Sequence, residues 1–155
     1  MSSLKPFLAP LDMGDNSKRD LRTQFGALCY RVVGGKTQIL LITSRTRKRW
    51  ILPKGWPMDG ESPTHAAETE AWEEAGAKGK IKPVCIGIYG YRKQFDGEEM
   101  PCMVAIFPLK VKSLASDFPE RDERRRKWFS LAKAAKKVDE PELRHLISRF
   151  DPSTL

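Results

Sequence analysis

Three glutamates, Glu70, Glu73 and Glu74, stand at i, i+3 and i+4. On a helix of 3.6 residues per turn they share an arc of about 100°. Carboxylates so placed repel one another by about a few tenths of a kcal/mol per pair, and the last helical turn disfavours anions further through the helix dipole. Lys78 alone stands at a spacing that could relieve one of them. Taken by itself, such a cluster is most often a solvated acidic face. It is also what a hard divalent cation such as Mg²⁺ takes as its ligands. A second charged group precedes it: Arg45, Arg47, Lys48 and Arg49 crowd one short stretch, with Lys54 just beyond. An acidic helix and a basic loop facing one cleft would suit a polyphosphate with its metal, the loop pairing with phosphates and the carboxylates with the cation.

The elements that must position these groups can be read from the chain. Ser62 is a good N-cap, Pro63 suits the first helical turn, and Gly76 stands where a helix-ending left-handed residue is expected. Ala67, Ala71 and Ala75 form a neighbouring stripe smooth enough to pack closely on a sheet, with Trp72 on the far side. Before the helix, Thr23 to Val33 reads as a strand, Gly34-Gly35 as a tight turn, and Gln38 to Ser44 as the hairpin partner. After it, Ile81 to Lys93 reads as one long strand and Asp96-Gly97 as a second hairpin turn. Met100 to Val111 reads as the returning strand, placed at an edge because of Pro108. Trp128-Phe129 forms a short strand, and Ser130 caps a helix to about Lys137. A last helix starts at Pro141 and aligns Leu143, Leu146, Ile147 and Phe150. Strands, helix, strands, helices predict an α/β fold with a mixed sheet between helices.

The 155 residues suit a single domain over 21–152, preceded by a loosely ordered arm over 1–20. A hydrophobic content of 40% without a long apolar run excludes a helical membrane span, and the lack of a secretory leader pattern makes the cytoplasm the expected location. Cys29, Cys85 and Cys102 lie far apart inside apolar runs and read as reduced thiols, without metal spacing. A net charge of +8 favours an anionic ligand. His65 and His145 have no neighbour at ligand spacing and read as surface or packing residues.

Gly55, Glu61, Thr69-Glu70, Glu73-Glu74 and Gly76 resemble the Nudix box, G-x5-E-x7-R-E-U-x-E-E-x-G-U with U a bulky aliphatic residue. Thr69 replaces the arginine of that pattern, and Ala71 and Ala77 replace its aliphatics. The resemblance implies a Nudix α/β/α sandwich with a mixed sheet and hydrolysis of a phosphoanhydride dependent on Mg²⁺ or Mn²⁺. It implies Glu70, Glu73 and Glu74 as catalytic metal ligands, joined by the Gly55 carbonyl, with Glu61, Thr69 and Gly76 structural. Glu70 is the first candidate for taking the proton from water, with Glu98, Glu99, Glu120 and Glu123 as outside candidates. Without the arginine at 69, Glu61 is expected to lack its usual partner.

Ser44-Arg45, Trp50-Ile51, Pro53-Lys54-Gly55 and Arg124 to Phe129 are similar to the diphosphoinositol polyphosphate phosphohydrolase branch of the family, whose members act on diphosphoinositol and diadenosine polyphosphates. That likeness makes a small-molecule polyphosphate the expected partner, with Ser44, Arg45, Arg49, Lys54 and Arg124 as candidate substrate contacts. Arg124 to Lys127 can equally be solvated charge beside a strand. Two other classes stay open: a non-catalytic Nudix-like module that senses a nucleotide or RNA, and a plain RNA-binding domain. The second lacks an RNP-type aromatic strand or a zinc knuckle.

Overall fold

The computed structural model describes residues 22–155, so the arm predicted over 1–20 lies outside the described residues. Strand β1 (Arg22–Val33) turns through Gly34-Gly35 into β2 (Lys36–Thr43). Two short strands follow, β3 (Trp50–Ile51) and β4 (Lys54–Gly55), and then helix α1 (Pro63–Ala75). Next come β5 (Ala77–Ile81), β6 (Gly87–Phe95), β7 (Glu98–Leu114) and β8 (Arg126–Ser130). Helices α2 (Leu131–Lys137) and α3 (Pro141–Ser148) and a 3-10 turn at Pro152–Thr154 complete the chain. The strands form one eight-stranded sheet with the path β3-β2-β1-β7-β5, in which β4 pairs with β1, β6 with β7 and β8 with β2. β1 and β7 run parallel, and the other paired strands are antiparallel, so the sheet is mixed.

Side chains on a strand alternate between faces, and the two layers follow from that period. Phe25, Ala27 and Cys29 of β1, Leu40 and Ile42 of β2, and Ala105, Phe107 and Leu109 of β7 meet Ala66, Ala67, Ala71 and Ala75 of α1. The intervening residues, Leu28 and Tyr30, Ile39 and Leu41, Val104 and Ile106, meet Ala134 of α2, Val138 just after it, and Leu143 and Ile147 of α3. Burying a Leu or Ile side chain stabilises by about 1.5–3 kcal/mol, so the central strands, buried on both faces, carry much of the hydrophobic stabilisation. The result is the α/β/α sandwich. Among the described residues no helix is long and apolar enough to cross a membrane.

Two strand expectations need correction. The stretch Ile81 to Lys93 is not one strand: β5 ends at Ile81 and β6 begins at Gly87, with Pro83 in the break. Pro108 does not end β7 at an edge either; β7 is central and pairs on both sides. The two facts have one cause. β7 pairs with β6 up to Ile106 and with β5 from Leu109 onward, so Pro108 lies where its partner strand changes. Its carbonyl accepts from the Lys82 N–H at 3.0 Å, and its own missing N–H faces the same break, where no ladder bond is lost.

Candidate active site

Helix α1 is set by its ends. The Ser62 hydroxyl accepts from the His65 N–H at 3.1 Å, and Gly76 ends the helix with φ 65°. A side chain at Gly76 would also meet Phe118 at 2.5 Å, so only glycine fits there. Below it, Arg126 of β8 donates from Nη1 to the Ala75 carbonyl at 2.7 Å. The alanine stripe lets the helix settle onto β1 and β7, and this turns Glu70 and Glu74 inward towards β4.

Glu70 and Glu74 are both buried, one helical turn apart on α1. Burial, followed by the nearby charges of Glu74, Glu73 and Glu120, pushes Glu70 up to about 8 from 4.5. Glu74 is also raised by burial, but Arg124, Lys54 and a backbone hydrogen bond pull the other way. Its Oε1 accepts from the Lys54 backbone N–H at 3.2 Å, and its Oε2 lies 3.5 Å from Arg124 Nη2. Gly55 lies directly against Glu70: a Cβ there would stand 2.3 Å from Glu70 Cδ. Glycine is therefore required by close approach, and no positive φ is involved.

A cleft of about 390 Å³ opens over these groups, lined by Gln24, Arg45, Lys54, Gly55, Glu70, Glu74, Lys93, Glu120 and Arg124 among others. A second hollow of about 250 Å³ adjoins it, sharing Arg45, Ile51, Lys54, Lys93 and Arg124 and adding Ser44, Arg47, Arg49 and Tyr91. Glu73 does not line either hollow; its carbonyl accepts from the Glu120 N–H at 2.9 Å, which brings Glu120 to the cleft. Among the described residues no three His, Cys, Asp or Glu side chains converge on one point as a ready-made metal cage. The donor chemistry nevertheless fits a hard cation. Two buried carboxylates and a third, Glu120, line the same cleft, and all the donor atoms they offer are oxygen. Of the expected ligands, Glu70, Glu74 and the Gly55 backbone line the cleft and would hold such an ion, with Glu120 beside them; Glu73, also expected as a ligand, lines neither hollow.

The candidate substrate contacts separate into free and engaged groups. Arg45 is exposed and lies at 3.2 Å from exposed Glu123 on the cleft rim. Arg49 reaches away, to Asp139 at 3.0 Å and buried Glu140 at 3.6 Å, while its N–H donates to the Ser44 hydroxyl at 3.0 Å. Arg124 is held by Glu120 at 2.8 Å and by the Thr43 carbonyl at 3.1 Å, in addition to Glu74. Lys54 Nζ lies 4.8 Å from the centre of the Tyr91 ring, and burial lowers its pKa to about 8. Lys78 sits over Trp72 at 5.0 Å instead of relieving a glutamate. Glu61, without the arginine at 69, is not left alone: its carboxylate lies 3.3 Å from His65 Nδ1, and His65 is a surface residue.

Three cleft residues escaped the sequence reading. Gln24 is buried on β1 and accepts from the Tyr91 hydroxyl at 2.5 Å. Tyr91 and Lys93 alternate on β6, so both face the cleft from one side of the strand. The available signal was Gln24 itself, a polar side chain in the inward register of an apolar strand, which needs a partner.

The model of the NUDIX domain matches residues 22–150. The chain belongs to the Nudix family. Among curated Nudix relatives, it is 34% identical over 105 residues to Nudix hydrolase 13, mitochondrial, of Arabidopsis thaliana, covering 64% of this chain and 52% of that protein. It is 32% identical to diphosphoinositol polyphosphate phosphohydrolase 3-alpha of Mus musculus, covering 70% of this chain and 64% of that one. The chain thus spans about half to two thirds of the length of these relatives. Its fold matches the crystal structure of C. elegans Ap4A hydrolase with a TM-score of 0.62 at 23% identity, over 88% of this chain and 100% of that one. A NUDIX hydrolase from Nitrosomonas europaea matches with 0.65 at 22%, over 88% and 96%. These two likenesses concern the Nudix fold alone.

Proposed function

We propose that this protein is a pyrophosphohydrolase, acting in the cytoplasm, that uses Mg²⁺ or Mn²⁺ to cleave a phosphoanhydride in a small molecule carrying a long or dense phosphate array. A diadenosine polyphosphate or a diphosphoinositol polyphosphate is the leading candidate. The observation that carries the reading is buried Glu70 pressed against Gly55, beside buried Glu74, with Lys54 and Arg124 lining the same cleft. The name of the mouse relative supports the substrate class.

When bound, the divalent ion would draw charge off the bridging phosphates and make a nearby water a stronger acid. The chain's own part follows from its geometry. Lys54, Lys93 and Arg45 line the cleft as cations for phosphate oxygens, and charge-assisted contacts of this kind are the strong ones. Arg124 acts as a positioning residue, since it touches Glu74, Glu120 and the Thr43 carbonyl at once. Glu70, raised towards neutrality, is the group we assign to accept the water proton, with Glu120 across the cleft as the next candidate.

The test is a panel of diadenosine polyphosphates, diphosphoinositol phosphates, nucleotide sugars and capped RNA, each with Mg²⁺ or Mn²⁺ and with EDTA. Turnover of a long-array substrate that EDTA abolishes is expected. Glu74→Gln keeps the helix and removes a charge, and should lower turnover at least about a hundredfold. A Glu74→Gln protein as fast as wild type, or no turnover anywhere on the panel, would sink the proposal.

A further inference from the structure

The positive charge of this chain is not spread evenly. The residues of β1, β2 and β5, and of β7 beyond Glu99, include no Asp or Glu, yet they contribute Arg22, Arg31, Lys36, Lys78, Lys80, Lys110 and Lys112. Lys80 and Lys110 face each other directly across the β5–β7 ladder, and Lys110 is level with Tyr30 of β1. Like charges placed opposite one another on adjacent strands destabilise a sheet. Lys80, Lys82 and Lys110 are exposed, and none of them has an ion pair or hydrogen bond to its side chain among the described residues. The surrounding surface is concave. A groove of about 480 Å³ is lined by these three lysines together with Val32, Thr37 and the Pro152–Ser153 turn. Asp151, the acid on its rim, is occupied by the Ser153 N–H at 3.0 Å and the Ser153 hydroxyl at 2.7 Å.

We propose that this groove is a second anion site, which takes a small, multiply charged phosphate compound without a metal. It lies far from the catalytic cleft: Gln24 of the cleft and Tyr30 of the groove stand on one strand about 20 Å apart at the usual rise per residue. The size of the groove suits a small ligand, and a short phosphate chain carries enough charge to satisfy all three ammonium groups. A phosphate seated between Lys80 and Lys110 turns their mutual repulsion into two attractions. The groove offers no exposed aromatic ring for stacking a base, since Tyr30 is buried edge-on against Phe150, which argues against single-stranded nucleic acid.

The experiment is a titration of ¹⁵N-labelled protein with sodium tripolyphosphate at fixed ionic strength in EDTA, followed by amide chemical shifts. Saturable shifts at Gly35, Thr37, Lys80, Lys82, Lys110 and Ser153 are expected. The Lys80→Gln/Lys110→Gln double variant should weaken this binding at least tenfold. It should unfold at the same temperature as wild type or a higher one, because its folded state loses a repulsion. Its turnover of the best cleft substrate should be unchanged, so failure here is separable from failure of the catalytic reading. Shifts confined to Lys54, Lys93 and Arg124, or unsaturable drift at lysines everywhere, would overturn the proposal. So would a short oligonucleotide that binds these amides more tightly than tripolyphosphate does.

Discussion

Gly55→Ala isolates the close approach on which the catalytic reading depends. The added Cβ would lie 2.3 Å from Glu70 Cδ, 2.4 Å from Oε2 and 2.7 Å from Oε1. Contact distances between such atoms are about 3.5–4.0 Å, so the carboxylate must retreat by about 1 Å. The backbone at Gly55 has no positive φ, and alanine is free to adopt it. Losing a glycine lowers the entropy of the unfolded chain and stabilises by about 0.4–1 kcal/mol, while crowding costs about 1–3 kcal/mol. Because the atoms struck are the end of a flexible side chain, the net loss of stability should stay under about 2 kcal/mol. Activity is far more sensitive, since a misplacement of about 1 Å in a catalytic group can cost a hundredfold. The expected result is a folded protein whose turnover and Mn²⁺ affinity, read by calorimetry, both collapse while urea unfolding changes little. Wild-type turnover in this variant would show that Glu70 need not stand where it does for catalysis.

Glu70 also makes a pH prediction. Its folded-state pKa is raised from 4.5 to about 8, so its protonated form contributes stability below the lower value that is lost as pH rises through the upper one. Metal-free protein should therefore weaken towards denaturant across that window, and Glu70→Gln should flatten the slope; an unchanged slope would remove the desolvation argument. Arg45→Ala should raise KM for a long-array substrate with little change in stability, whereas Arg49→Ala should cost about 1–3 kcal/mol, because it strips a cation from buried Glu140. The reverse pattern in kinetics and melting would exchange the roles assigned to the two arginines. His65→Ala should cost under about 1 kcal/mol, since its contact with Glu61 is half-exposed, and Thr69→Arg should leave turnover unchanged or raised. A large loss in the Thr69 variant would mean that the site is built around threonine.

The helix and its two ends were legible because each depends on local chemistry: a serine cap, a proline in the first turn and a glycine at the close. The first hairpin was legible for the same reason, from two apolar runs on either side of Gly34-Gly35, whereas the division of β1 and β2 between two faces shows only in the packing. Pro108 misled because a proline's cost depends on where its neighbours stop, which is a property of two other strands. The basic loop was found as a run of charge, but whether each cation is free depends on distant acids. Arg49 meets Asp139 and Glu140, and Arg45 meets Glu123, across intervals that no local pattern spans. Gln24, Tyr91 and Lys93 join the cleft through sheet pairing alone, which brings β1 and β6 to the two flanks of β7.

The parallel pairing of Arg22–Tyr30 with Cys102–Lys110 has a consequence for how the molecule is made. The first described strand leaves the ribosome with its hairpin partner but must wait for most of the chain before β7 can cover its other edge. Contacts this distant in sequence slow folding, because the entropy of closing a long loop is lost before the pairing rewards it. In the interval the Leu28 and Ile39 side chains and an open strand edge are exposed to other chains. A nascent protein of this design is most prone to aggregate just before β7 emerges, and slowing synthesis beyond Leu114 should do less harm than slowing it between α1 and β7.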